Sequence, residues 1–514
     1  MKNKIFKAAI LVSFMTIINK PLGFIRQAII AAYYGVSSQT DAFFLAQNMP
    51  SLLLPAVCTA LSTAFITIYV SKLIKGGEKE GNNFASSAIV FNLIVAVVLS
   101  LLIFIFSPFI VKVFAPGFDE QTILLATKLT RIVMSIFAFT MLQYMLDAVL
   151  KSNKFYIGSQ ITGILYNLII ISITLMIGNK FGVYGLTWTF VIGHIAQSIL
   201  LIILSKKKLE FKFPKLGMND DIKQMFKIAI PILIGNSVVQ LNNIVDKMLA
   251  SYLEKGAVSA LSYSNTLNSF VITIIITSLS TVLYPTMADY ISRDDKNNLI
   301  NSISNSIIML VLVLAPISII TSIYSRDVVS IAYGRGSFDM NAIMLTSSAL
   351  RFYGLGFVFI GIKEIGAKLF YAYKDTRAPL RNGVISVGLN IVFSIVLSRF
   401  MGIAGIALGT TISLFITTIL YFISIKRKIP EISLNNLINT FIKIIIAGLI
   451  MAISIVAFKF ISKDLSSLVR FSLVTVLGFI IYISLLYILR CNELIEIIKF
   501  IKGKMRGIRI RKRT

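Results

Sequence analysis

Apolar runs of about 18 residues or more follow one another along the whole chain, broken by short polar stretches. As helices, such runs are long enough to cross about 30 Å of hydrocarbon. Fourteen spans are predicted, at 6–34, 41–71, 84–112, 122–150, 156–178, 182–205, 224–252, 257–288, 298–324, 343–372, 380–400, 402–425, 435–461 and 467–490. The charges between them check the count. Alternate gaps are rich in cations: Lys72, Lys75 and Lys79; Lys151 and Lys154; Lys206, Lys207, Lys208, Lys212 and Lys215; Arg293 and Lys296; Lys374, Arg377 and Arg381; Lys426, Arg427 and Lys428. The gaps between these are poorer, with none at 35–40 and Lys180 alone at 179–181. Lys2 and Lys4 precede the first span, and KGKMRGIRIRKRT closes the chain at 502–514. By the positive-inside rule both termini are expected on the cytoplasmic side, which requires an even number of spans.

The pattern repeats. Residues 42–68, AFFLAQNMPSLLLPAVCTALSTAFITI, align without a gap on 260–286, ALSYSNTLNSFVITIIITSLSTVLYPT, and ALST at 60–63 meets SLST at 278–281. A second echo sets GVYGL at 182–186 against GIAGI at 402–406, with Asn167 and Asn390 ahead of them in similar contexts. The prediction is an all-α polytopic membrane protein of two six-helix lobes related by a parallel pseudo-two-fold repeat, with two further helices at the C-terminal end. The expected segments are a first lobe at 1–205, a basic cytoplasmic linker at 206–223, a second lobe at 224–428, the last two spans at 429–490 and a basic tail at 491–514. Leu494, Ile497, Ile498 and Ile501 fall at helical spacing in that tail and suit an anionic leaflet surface.

Composition agrees. Of 514 residues 56% are hydrophobic and 14% charged, a balance no soluble domain keeps over its whole length. The net charge of +28 does not indicate nucleic acid, because the cations are parcelled among short loops. Cys58 and Cys491 lie far apart, and no disulfide is predicted.

Residues 19–65 hold the most informative chemistry. Lys20, Arg26 and Asp41 lie within apolar sequence, and Pro21 and Gly23 stand beside the first cation. A charge within a span costs a few kcal/mol on insertion scales, so it is expected to face a cavity or a partner. The alternative is that Lys20 and Arg26 snorkel to an interface, which Arg26, with apolar sequence on both sides, suits less. Counted over the spans, Lys20, Arg26, Arg131, Lys247, Arg351, Lys363 and Lys368 exceed Asp41, Asp147, Asp246 and Glu364 by three charges. That balance favours an anionic substrate, since guanidinium groups bind phosphate oxygens bidentately. Glu364 and Lys368 are four residues apart and can pair along one helix face. Enzyme signatures are lacking: the sequence has a single histidine, His194, and no HExxH, P-loop or CxxC. No ATP-binding domain is predicted either, so transport would draw on an ion gradient, membrane potential or downhill release.

GFIRQAIIAAYYG at 23–35, TDAFFLA at 40–46, Pro50 and LSTAF at 61–65 together resemble the MurJ/MviN branch of the MOP exporter superfamily. The resemblance covers the whole chain. It implies a V-shaped bundle around a central cationic cavity, with a lipid-tail groove formed by the last two spans. It also implies a flippase that moves lipid II, the undecaprenyl-pyrophosphate-linked peptidoglycan precursor, across the bacterial cytoplasmic membrane by alternating access. The family's two first-span cavity cations fall on Lys20 and Arg26, and its second-span aspartate on Asp41, expected to pair with a cation at an outer gate; Asp246 and Glu364 are further gate or ion-pairing candidates. Two family arginines are missing: Leu54, Pro55 and Thr59 occupy the second-span region, and Asn265–Thr266 the eighth-span site. Arg351 or Lys363 is the expected substitute. For the sodium site described in the family, Asp246 and Asn390 are the loose candidates. No cofactor is expected beyond sodium or proton coupling or the membrane potential. The expected partners are lipid II or a similar lipid-linked saccharide and anionic membrane lipids, with the protein a monomer. The rival readings are a flippase for an O-antigen or teichoic-type unit, a multidrug antiporter, a polyprenyl-dependent membrane enzyme and a non-catalytic scaffold.

Overall fold

The computed structural model describes residues 2–214, 219–462 and 464–495. The remainder of the linker and most of the tail, with Ile497, Ile498 and Ile501, lie outside the described residues, as do the side chains at 50–54, Leu54 among them. Described residues form helices and no strand. In order they are α1 (Lys2–Tyr34), α2 (Ser38–Phe114), α3 (Glu120–Val133), α4 (Ile136–Ser152), α5 (Gly158–Ile177) and α6 (Gly182–Ser205). Next come α7 (Asp220–Ser251), α8 (Ala257–Ile272), a π-helical turn at Thr273–Thr277, α9 (Ser278–Ser292), α10 (Lys296–Ile323) and α11 (Ser325–Tyr333). The last are α12 (Met340–Leu355), α13 (Phe357–Ala372), α14 (Arg377–Met401), α15 (Ile403–Lys428), α16 (Leu434–Ile461) and α17 (Ser467–Ile488).

Every expected span falls on helix, but length and hydropathy alone do not reach a count of fourteen. Among the described residues nine helices are long and apolar enough to cross a membrane, or ten if α12 and α13, bent by 47°, form one span. The second and third expected spans run on as the two arms of α2, which breaks only at Gly77, where φ is 72°. Polar residues stand within the expected spans on α1, α7 and α8. The first carries Lys20 and Arg26, the second Asp246 and Lys247, and α8 the serine- and asparagine-rich run SALSYSNTLN at 259–268.

The repeat is visible in the backbone. The aligned segments begin matching helices, α2 at Ser38 and α8 at Ala257. Gly178 caps α5 at φ 54°, ψ −134°, and Gly402 caps α14 at φ 56°, ψ −133°.

The chain divides into two compact units, and not at the linker. One comprises Met1–Thr266 with Tyr333–Ala342, the other Leu267–Ala332 with Ile343–Thr514. Helix α7 stays with the first because Ile222 and Met225 enter its core beside Phe65, Tyr69, Met141 and Met145. Within that core Phe65 stacks on Tyr69 at 5.2 Å and on Phe84 at 5.5 Å, tying together the two arms of α2. In the second unit α10 packs beside α13 and the α16–α17 pair. There the Tyr324 hydroxyl donates to Ile455 O at 2.8 Å, and Arg470 Nε donates to the buried Asp327 carboxylate at 2.9 Å.

The 333–342 loop belongs to the first unit because it docks on the α1–α2 turn. Ser337 N donates to Ala32 O at 2.7 Å, and Ser337 Oγ to Tyr33 O at 3.1 Å. Gly336 takes φ +61°, and a Cβ there would lie 2.2 Å from Ala32 O. Only glycine fits both the conformation and the contact. Gly336→Ala is therefore expected to cost about 1–3 kcal/mol locally and to undock the loop. Limited trypsin digestion of the solubilised protein should then cut after Arg335 faster than in wild type; unchanged protection would contradict the docking.

Candidate functional site

Arg26 lies on α1, seven residues and thus two turns beyond Asn19, so the two share a helix face. Asn167 of α5 binds both. Arg26 Nη1 donates to Asn167 Oδ1 at 2.9 Å, and Asn167 Nδ2 donates to Asn19 Oδ1 at 2.8 Å. Gly163, one turn before Asn167, makes the approach possible: a Cβ there would sit 2.3 Å from Asn19 Nδ2. The guanidinium carbon lies 5.3 Å from the Tyr166 ring centre and 5.7 Å from that of Phe190, within cation–π range. Tyr166 in turn meets His194 edge-on at 4.9 Å.

No carboxylate pairs with Arg26 among the described residues, and its Nε is buried with no hydrogen-bond acceptor. Neutral groups hold the guanidinium, so its charge is intact and one donor is unspent. Such a group suits a phosphate or carboxylate arriving from outside the fold. His194, the lone histidine, borders this cluster through Tyr166.

Asp41 is placed differently from expectation. Its partners are backbone N–H groups and not a cation: Gly256 N donates to Oδ2 and Ser259 N to Oδ1, each at 2.7 Å. The carboxylate thus caps the start of α8, where the unpaired N–H groups and the helix dipole favour a negative charge. The neighbours in TDAFF share the work. The Thr40 hydroxyl bonds the Ser37 hydroxyl at 2.7 Å, Phe43 packs against Phe190 at 5.4 Å, and Phe44 meets Tyr263 at 5.0 Å. A single stretch of α2 therefore touches the wall of the Arg26 site and the start of α8.

Of the other candidates, Lys20 is exposed on α1, and Asp246 is buried near the end of α7 beside half-buried Lys247. In the second unit Arg351 is exposed on α12, and Lys363 is half-buried on α13. Glu364 pairs with Lys368 at 3.5 Å on the same helix. Asn390 of α14 donates to Thr410 Oγ1 at 2.8 Å, while its Oδ1 is buried without a donor. A sodium ion would find a carbonyl and a hydroxyl there, but α14 contains no Asp or Glu. Hard cations of this kind prefer oxygen ligands that include carboxylates, and among the described residues no group of three or more His, Cys, Asp or Glu is placed to hold a metal. The residues on α14 do not supply the carboxylate that such a site calls for.

Fold and site together describe a polytopic helical carrier with a retained cation. The architecture is shared with a solved structure described as the inward-facing conformation of a multidrug resistance MATE family transporter of the MOP superfamily, at a TM-score of 0.69 over 80% of this chain and 95% of that one; at 12% identity this is a likeness of fold. The chain belongs to the MurJ family, whose model, described as lipid II flippase MurJ, matches residues 30–478. A solved structure of lipid II flippase MurJ in an inward closed conformation superposes at a TM-score of 0.80 with 27% identity, covering 93% of this chain and 99% of that one. Relatives include a probable lipid II flippase MurJ of Rickettsia prowazekii, 29% identical over 82% of this chain and 84% of its own length. The lipid II flippase MurJ of Burkholderia cenocepacia is 26% identical over 87% of this chain and 89% of its own.

The capping geometry of Asp41 makes a prediction of its own. Asp41→Ala leaves two N–H groups without acceptors and should destabilise the protein by about 1–2 kcal/mol, with Asn, which keeps one acceptor, in between. Thermal unfolding of the purified protein orders the three. Identical midpoints for wild type and Asp41→Ala would remove the cap from the account.

Proposed function

We propose that this protein is the flippase that carries lipid II, with its undecaprenyl-pyrophosphate anchor, between the leaflets of the bacterial cytoplasmic membrane. Family membership supports the substrate, and the unneutralised Arg26 is the observation that carries the chemistry. In this reading the diphosphate accepts hydrogen bonds from Arg26, whose Nε has no acceptor among the described residues. Asn167 and Asn19 fix the side chain so that the donor is aimed before the lipid arrives, which limits the ordering cost of binding. Lys20 adds charge on the same helix. Both termini face the cytoplasm, following the distribution of loop cations. A multidrug antiporter shares the fold alone, and cations that outnumber carboxylates oppose a cationic cargo.

The test uses cells depleted of their own lipid II flippase and expressing this protein, with lipid II measured at the outer face. Wild type should restore exposure. Arg26→Ala should lower it roughly 10–100-fold at unchanged protein level, as expected for loss of a hydrogen bond worth about 1.5–3 kcal/mol to a charged group. Full activity in a well-expressed Arg26→Ala protein would sink the role. Asn167 separates charge from packing. Asn167→Asp keeps the shape but neutralises Arg26, so it should impair transport more than Asn167→Ala; the reverse order would mean that packing, and not free charge, is what Asn167 protects.

A further inference from the structure

The α6–α7 linker is not a plain solvated connector in its described part. Leu209 is buried in the core of the first unit, and Lys212 N donates to Ser86 Oγ of α2 at 3.1 Å, so the segment is pinned to the fold at two points. Between and beyond these pins it presents aromatic rings outward. Phe213 is 91% exposed and Phe211 42%, and the two rings pack edge to face at 5.3 Å. Lys206, Lys207 and Lys208 are exposed just before them, at the end of α6, and none forms an ion pair among the described residues. The acid within the segment, Glu210, pairs with Lys212 at 3.1 Å.

Two exposed phenylalanines held rigidly in water are unfavourable unless something covers them. Their position narrows the occupant. The segment leaves α6 directly, a helix long and apolar enough to span, so the rings lie a few residues from where that helix meets the headgroups. Aromatic rings settle at that depth, and clustered lysines are drawn to anionic lipids. We propose that Phe211 and Phe213, with Lys206–Lys208, form an interfacial anchor that seats the linker on an anionic phospholipid surface. The rings enter the headgroup region and the lysines select the charge. Seated in this way, the anchor fixes the depth of α6, whose Phe190 lines the Arg26 site.

The anchor can be read with a single fluorophore. Trp188 is the chain's one tryptophan and lies half exposed on α6, so Trp188→Phe clears the background and Phe213→Trp reports on the linker. The full-length protein is placed in nanodiscs of phosphatidylcholine, or of an equal mixture of phosphatidylcholine and phosphatidylglycerol, with acyl chains brominated near the carbonyl. In the mixture the emission should be blue-shifted and lose most of its intensity to bromine. Replacing Lys206, Lys207 and Lys208 with glutamine should reverse much of that loss. Emission typical of a water-exposed indole, unquenched in both lipids, would overturn the anchor; equal quenching in both, unaffected by the glutamines, would overturn the selection for anionic lipid. Phe213 touches little besides Phe211, so the substitution leaves the fold intact, and Phe211→Trp provides a second reporter.

Discussion

A guanidinium set among membrane-spanning helices must be held in place without being neutralised. A carboxylate partner would lower the cost of burying it but would also consume the charge that a phosphate needs. Here the solution is neutral. An amide takes one N–H, two aromatic rings lie over the cation, and Nε is left over. Each support comes from a different part of the chain: Asn19 from α1, Asn167 and Tyr166 from α5, Phe190 from α6. The packing of α1 on α5 therefore serves the site as much as the site serves the packing.

Asp41 shows the opposite arrangement a short way along the chain. Its charge is fully used, both oxygens being spent on the N–H groups that open α8. A carboxylate at a helix start gains from the backbone dipole and needs no cation. This leaves Arg26 as the charge free to answer a ligand, and it explains why a motif as short as TDAFF is demanding. Thr40, Asp41, Phe43 and Phe44 each have a partner of their own, and none could change without loosening a different contact.

Much of this was legible in the sequence, and the illegible part shares one physical cause. Helices, the repeat, the loop charges and the singularity of Arg26 and Asp41 are local or periodic properties, which composition and spacing display. The partner of Arg26 is 141 residues away, and that of Asp41 more than 200; no periodicity carries such pairings. Asn167 stood out only as an echo of Asn390, although an amide within an apolar span already signals a bond to another helix. The expected cation partner of Asp41 came from treating charges as pairing with charges, which overlooks the backbone as a donor. The boundary between compact units was equally out of reach. Loop 333–342 crosses to the first unit through two backbone-directed bonds from Ser337 and two glycines, Gly35 and Gly336, whose role depends on φ.

Charges and amides within the expected spans gather on a few helices. α1 and α7 carry Lys20, Arg26, Asp246 and Lys247, and α8 carries a run of serines and asparagines. A helix of that kind is stable in a bilayer only where other helices or a polar cavity satisfy it. Strongly apolar α16 and α17, by contrast, can meet lipid directly, and their polar anchorage among the described residues includes Tyr324, Asp327, Lys459 and Arg470 at one end and Thr440, Lys443 and Glu493 at the other. Polarity thus lies within α1, α7 and α8 but at the ends of α16 and α17. That division matches a cargo with a diphosphate at one end and a long apolar chain at the other.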